Sequence, residues 1–393
     1  MQALHPQAAP ASLVWSQIWG KLDMRPLCII AALAAGLLVQ ATPAARAGAT
    51  FDDTARFLAG MQPSAQSPLA ALTREATWQH HAKQFDGEWA RLEVSQLAKV
   101  RAFASRNLTE PSRTLFYMFS GPDFLYGAAF FPTASTYVLS GLEPTGPIPD
   151  LVKLRGHALP AALDHVRVSL RQMLSHSYFI TSQMGSHLSR GQLTGTLPIL
   201  YVFLARSGKT IHNVSYVELQ PDGSLRTFEG STPTSPPRAV KIDFSSGDGR
   251  AQTLYYFSTN LANDGVSKSG FLKFCEQQGG GDSFVKSASY LLHGSAFSSV
   301  REFLLKNSAH ILQDDTGIPV SHFKDDHWTL QPFGTYTRPI AVFSRNYQSR
   351  LRALFEKGKP SSLEFGVGYK WRPNQSNLML ATRKPAKAAA ITD

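Results

Sequence analysis

Leu115–Gly146, LFYMFSGPDFLYGAAFFPTASTYVLSGLEPTG, constrains the chain more than any other stretch: it holds two apolar, strand-like runs separated by turn residues, and only Asp123 and Glu143 carry charge. A segment so poor in charge does not stay solvated, so it reads as core, and its few polar residues read as turns or as a site. A fainter copy follows at Thr253–Gly294, where TLYYFSTN echoes LFYMFSG and ASYLLHG echoes STYVLSG across a Gly-rich connection. The order strand, connection, strand, helix, Thr-Gly turn, strand recurs in both, which predicts an internal duplication with loops of different length.

The N-terminus reads as an export signal. Arg25 precedes the apolar run Leu27–Val39, and Ala44-Ala45-Arg46-Ala47 supplies an A-x-A cleavage site, with Met24 as the expected start. That run is shorter than the roughly 18–20 residues that cross a bilayer as a helix. Cys28 lacks the small residue before it that a lipidation site wants. Cleavage after Ala47 leaves 36 basic and 27 acidic side chains, a net charge of +9. In an exported protein this excess points to anionic envelope polymers, headgroups or an acidic ligand rather than nucleic acid, although the scattered charges also fit a plain solvated surface. Only Cys275 survives cleavage, so no internal disulfide forms, and its place in GFLKFCEQQ reads as a buried structural thiol.

Along the chain, Trp78, Phe85, Trp89 and Leu92 mark one helical stripe, which Asp86-Gly87 is expected to break, and the adjacent His80 and His81 read as surface residues. Leu163, Val166, Leu170, Met173 and Leu174 predict an amphipathic helix over 160–177. Leu197–Leu204 and Asn213–Leu219 read as strands of a hairpin around Ser207-Gly208, with a turn at Pro221-Asp222-Gly223 and a surface loop at Thr232–Pro237. Val240–Phe244 and Leu254–Ser258 form another hairpin. A helix over 297–313, a second near 347–357 and a strand near 363–371 complete the reading. The expected organisation is a signal peptide (1–47), an N-terminal helical segment (48–110), a first α/β unit (111–220), a linker and hairpin (221–251), a second α/β unit (252–345), a closing helix and strand (346–380) and a disordered tail (381–393). The fold class is α+β, with the helical segment packed on a mixed sheet.

No familiar catalytic motif survives inspection. Asp315-Thr316-Gly317 spells the aspartic-protease triplet, but a second such loop is absent. Ser207-Gly208-Lys209-Thr210 lacks the first Gly of a phosphate loop, and HExxH, paired CxxC and GxSxG do not occur. Gly279-Gly280-Gly281 reads as a connector. What remains is position: ligands collect at the carboxyl ends of strands. Those ends carry Ser120 with Asp123, Gly141 with Glu143, Asn260, and His293 with Ser295. His293, Asp123 and Glu143 are the candidate catalytic residues, with His293 expected beside one of the carboxylates; Ser120, Asn260 and Ser295 are candidate binding residues. The same residue types are ordinary turn formers. No metal site is read, and the cofactor is left open.

The strings FYMFSGPDFLYG, YVLSGLEP, KSASYLLHG, QDDTGIP and PFGTY resemble those of an uncharacterised family of exported bacterial proteins with no assigned activity, over roughly residues 112–372. The resemblance implies one architecture and export, and supplies no chemistry. Two functions are expected from the sequence: a periplasmic or extracellular protein that binds an envelope component or small anionic ligand, or a hydrolase using carboxylates and a His at strand ends. After cleavage no stable transmembrane span is expected.

Overall fold

The computed structural model describes residues 48–154, 157–176, 193–228 and 238–385. The expected signal peptide, the Thr232–Pro237 loop and the end of the tail lie outside the described residues.

Three helices open the described chain: α1 (Phe51–Leu58), α2 (Ala76–Leu92) and α3 (Ala98–Asn107). Thr50 caps the first, its hydroxyl accepting from the Asp53 N–H at 3.0 Å, and Asp52 and Asp53 complement the positive end of the helix dipole. The chain then runs through β1 (Thr114–Tyr117), α4 (Phe124–Phe130), β2 (Thr136–Gly141), α5 (Ala158–His176) and α6 (Leu197–Arg206). An antiparallel section follows, β3 (Thr210–Leu219), β4 (Leu225–Thr227), β5 (Ala239–Ser245) and β6 (Ala251–Ser258). The remaining elements are α7 (Asn263–Ser269), α8 (Phe271–Gln277), β7 (Gly281–Val285), α9 (Ser298–Asn307), β8 (Ser308–Gln313), β9 (Trp328–Gly334), α10 (Ser349–Gly358) and β10 (Asn377–Arg383).

These strands make one mixed sheet in the order β4-β3-β5-β6-β2-β1-β7-β8-β10-β9. The five central strands, β6-β2-β1-β7-β8, run parallel, and antiparallel strands extend both edges. Side-chain alternation divides the interior into two cores. Leu115, Tyr117, Tyr137, Leu139 and Phe284 face one with α1–α6, while Phe116, Val138, Phe257, Val285 and Ile311 face the other with α7–α10. Both faces of the parallel strands are covered, which is why β1 and β2 read as continuous apolar runs. The fold is α+β, with the N-terminal helices packed on the mixed sheet. From β1 the chain steps to β2 on one side and later from β7 to β8 on the other, so the order reverses between β1 and β7. That reversal opens a crevice at the carboxyl ends.

Several expected elements differ. Leu197–Leu204 is helical: Pro198 sits in the first turn, and the run is buried on all sides, so it carries no polar stripe to set it apart from a strand. Ser207-Gly208 therefore joins a helix to β3. Ser287–Gly294 is not a strand, because Ser287, Ser289 and Tyr290 hold left-handed φ values of 54°, 49° and 57°. The strand lies earlier, beginning at Gly281, inside the stretch expected to be a connector. The proposed pairing of copies fails with it: β1 has parallel neighbours on both sides, whereas β6 is parallel to β2 and antiparallel to β5. The units that share a topology are β1–α4–β2 and β7–α9–β8. The expected helix at 297–313 gives way to β8 after Asn307, the closing strand falls at Asn377–Arg383 rather than 363–371, and α2 runs unbroken through Asp86-Gly87. Cys275 is buried with Phe271 and Phe274, and burial pushes its thiol well above the usual range.

His81 is buried rather than on the surface. Its Nε2 lies 2.9 Å from the Leu58 carbonyl and its ring 5.3 Å from Phe85. Burial pulls the imidazole down to about 4, with Arg167 and Arg206 adding to the effect. The unfolded chain takes up a proton near pH 6.5 that the folded chain refuses until near 4. Stability from His81 is thus present above about pH 6.5 and lost as pH falls toward 4. His81→Gln, which keeps an N–H for Leu58, is expected to reduce the loss of unfolding free energy between pH 7 and pH 5 by about 2 kcal/mol. Denaturant melts at the two pH values test this, and an unchanged difference would refute it.

Candidate functional site

The crevice holds a cavity of about 410 Å³, within the range of small-molecule sites. Its wall is built by the residues at and just beyond the carboxyl ends of β1 (Phe119, Ser120, Asp123), β2 (Gly141, Glu143), β6 (Thr259, Asn260) and β7 (Lys286, Ser287, Ser289). Each strand end is shaped by its local sequence. After β1, Phe119 and Gly121 take left-handed φ values of 65° and 54°, which turns the chain sharply. The Gly121 N–H then donates to the Ser140 carbonyl at 3.0 Å, tying the turn to β2. Asp123 caps α4, accepting the Tyr126 N–H at 3.1 Å. At Gly141 a side chain is excluded, since a Cβ would sit 2.5 Å from the Glu143 carboxyl and 2.9 Å from the Gly121 Cα.

A buried ion pair lies at the centre. Lys286 Nζ is 2.8 Å from Asp123 Oδ2, and both side chains are 2% exposed. The same oxygen accepts from the Tyr117 hydroxyl at 2.7 Å, and Lys286 lies 4.4 Å from the Tyr126 ring centroid. One charge from β7 thus meets one from β1 across the point of reversal, and the two neutralise each other. Glu143 is also buried, with Oε2 lacking a protein partner among the described residues, and burial raises its carboxyl toward the neutral acid. Its backbone carbonyl accepts from the Tyr256 hydroxyl at 2.8 Å. Phe119 and Phe297, 5.9 Å apart, give the cavity an aromatic wall.

The β7 end is held by the acidic end of β8. Asp314 Oδ2 accepts from the Ser287 N–H at 3.0 Å, and Thr316 Oγ1 accepts from the Ala288 N–H at 2.8 Å. The Tyr369 hydroxyl bonds the Ser289 hydroxyl at 2.7 Å and the Ser287 carbonyl at 3.0 Å. These bonds fix three consecutive residues, one of them in the left-handed region at Ser287 and another at Ser289. The Ser287 hydroxyl is buried without a partner among the described residues.

Four of the six residues singled out from the sequence, Ser120, Asp123, Glu143 and Asn260, line this cavity; His293 and Ser295 do not. His293 packs edge-on against Tyr290 at 5.1 Å, and its Nε2 is buried without a partner among the described residues. Burial lowers it to about 4, and the carboxylate it feels is Asp315, not Asp123 or Glu143. Ser295 is exposed in a short turn, its carbonyl accepting from Asn263. The misplaced strand explains both: counting it from Ser287 put its end at His293, whereas the real strand ends at Val285 and delivers Lys286. Lys286 was missed for that reason, although a lone Lys between FV and SAS was a visible signal. Asp315 is held by Tyr290, Asn377 and Gln348 and belongs to the fold. Among the described residues no group of three or more His, Cys, Asp and Glu side chains could hold a metal. Compared with known protein families, characterised proteins and solved structures, the chain matches none, so the site is read from its own geometry.

Proposed function

We propose that the protein binds a small, uncharged, hydroxyl-bearing ligand of the saccharide class in the cavity over β1, β2, β6 and β7. One observation carries this reading. The cavity joins an aromatic wall to a ring of hydroxyl and amide groups and the Glu143 carboxyl, which burial raises above its ordinary value, while the Lys286 cation is matched by Asp123. Such a lining suits ring C–H groups against aromatic faces and paired hydroxyls against Asn260, Glu143 and the serines. A hydrolase that draws on His293 with Asp123 or Glu143 has less support, because His293 is not in the wall. The N-terminal sequence supports export, which makes an envelope saccharide the natural ligand class, and no helix among the described residues is long and apolar enough to cross a membrane.

Thermal-shift and calorimetric titration with mono- and oligosaccharides tests the reading, since a ligand at 100 times its Kd stabilises the native state by about 2.7 kcal/mol. Glu143→Gln keeps a hydrogen-bonding group of the same shape and is expected to keep Kd within about threefold, whereas Glu143→Leu is expected to weaken binding by about tenfold or more. Saccharides that leave the protein unshifted, or a Glu143→Leu variant that binds as tightly as the parent, would overturn it.

A further inference from the structure

Tyr369 also lines a second cavity, of about 480 Å³, whose wall includes Thr335, Thr337, Lys370, Trp371, Arg372 and Asn374. None of its lining residues, among those described, is acidic. The segment that forms it is pinned. Ser376, fully buried, takes the Val367 N–H at 2.9 Å and donates to the Lys370 carbonyl, and its own carbonyl accepts from the Thr335 N–H at 2.8 Å. A bridge between Val367 and Lys370 closes the turn, and the Asn374 N–H bonds the Leu363 carbonyl at 2.8 Å. The backbone that carries these donors is therefore held in place before anything binds.

Its two cations rest on aromatic rings instead of carboxylates. Lys370 Nζ lies 5.5 Å from the Tyr336 ring centroid, and the Arg372 guanidinium 5.1 Å from that of Trp371. Lys370 is half-buried, and burial lowers it from the usual lysine range against the opposing pull of Asp315 and Asp314. A half-desolvated ammonium without a carboxylate in contact, a guanidinium over an indole, two threonine hydroxyls and an amide together bring positive charge and hydrogen-bond donors to one space that no acidic side chain lines.

We infer that this second cavity is a binding site for an oxyanion group, a phosphate or its ester, taken by Lys370 and Arg372 with hydroxyl help from Thr335 and Thr337. The site stands apart from the saccharide reading of its neighbour and is tested apart from it. The full chain is titrated with inorganic phosphate at low ionic strength, with Trp fluorescence as the readout and Trp371→Phe as the control for its origin. The expected result is a saturable response, lost in Trp371→Phe and weakened by added salt. The double variant Lys370→Gln/Arg372→Gln is expected to bind phosphate at least about tenfold more weakly. Arg372→Lys, at an exposed position that does not threaten folding, is expected to weaken it by a smaller factor, because the charge remains and the fork is lost. Absence of a response in the parent protein, or a double variant that binds phosphate unchanged and so marks an adventitious ion only, overturns the inference. Saccharide titration of the parent and of the same double variant separates the two claims: saccharides that bind neither protein count against the first cavity alone.

Discussion

Lys286→Met is expected to destabilise the protein by about 3–5 kcal/mol, because it strands the nearly buried Asp123 carboxylate without its counter-charge. Asp123 would keep two hydrogen bonds, from Tyr117 and the Tyr126 N–H, which satisfy lone pairs but bring no opposing charge. At 2% exposure the charge cannot be rehydrated without opening the ends of β1 and β7. Asp123→Asn makes the reciprocal error, leaving the ammonium over the Tyr126 ring, which recovers part of the loss through its face. The double variant Lys286→Met/Asp123→Asn removes both charges and is expected to lose less than the two single variants together, since a buried pair replaced as a unit is often near neutral. Urea unfolding at neutral pH measures all three, with unchanged m-values needed for the comparison. A Lys286→Met variant within about 1 kcal/mol of the parent would mean that the pair does not hold the strand ends together.

The parts of this site that were legible in the sequence share a physical origin. Ser120, Asp123, Glu143 and Asn260 follow strands whose apolar runs are bounded by Gly, Pro and Asn, and turn chemistry is local enough to read without a structure. The rest was set by tertiary burial. Leu197–Leu204 is surrounded by apolar neighbours on every side of α6, so hydrophobicity had no period to betray its helix. β7, GDSFV, is buried at every position yet carries Asp282 and Ser283, whose partners come from distant elements: Ser112 and His310 bond Asp282, and Ser308 bonds Ser283. A strand whose polar groups are satisfied only after folding does not look like a strand beforehand. The more apolar ASYLLHG drew the assignment instead, and with it His293 displaced Lys286. His81 failed in the opposite direction: adjacent histidines diverge on a helix, but the divergence put one in the core and left the other, His80, bonded to Gln84 outside.

Asp314 is expected to make the protein less stable as pH climbs from about 4 to 7, against the usual behaviour of a carboxylate that gains partners on folding. Two influences oppose each other at this side chain. The Ser287 N–H, the Thr316 N–H and the Thr316 hydroxyl all donate to it and favour the ionised form. Burial and the neighbouring Asp315 favour the neutral form, and they prevail, raising Asp314 from 3.8 to about 6. The unfolded chain therefore releases this proton near 3.8 and the folded chain only near 6, so the stability is present below 3.8 and lost as pH rises through 6. The shift corresponds to about 3 kcal/mol. His81 slopes the other way over part of the same range, so the parent curve alone does not isolate the effect. The readout is the difference between parent and Asp314→Asn, an uncharged side chain that still accepts from Thr316. That difference is expected to move by about 2 kcal/mol in favour of the variant between pH 4 and pH 7 in denaturant melts. A difference that stays flat would mean that the three donors outweigh burial, and that the wall of the cavity at Ser287 is held by a carboxylate already ionised at pH 4.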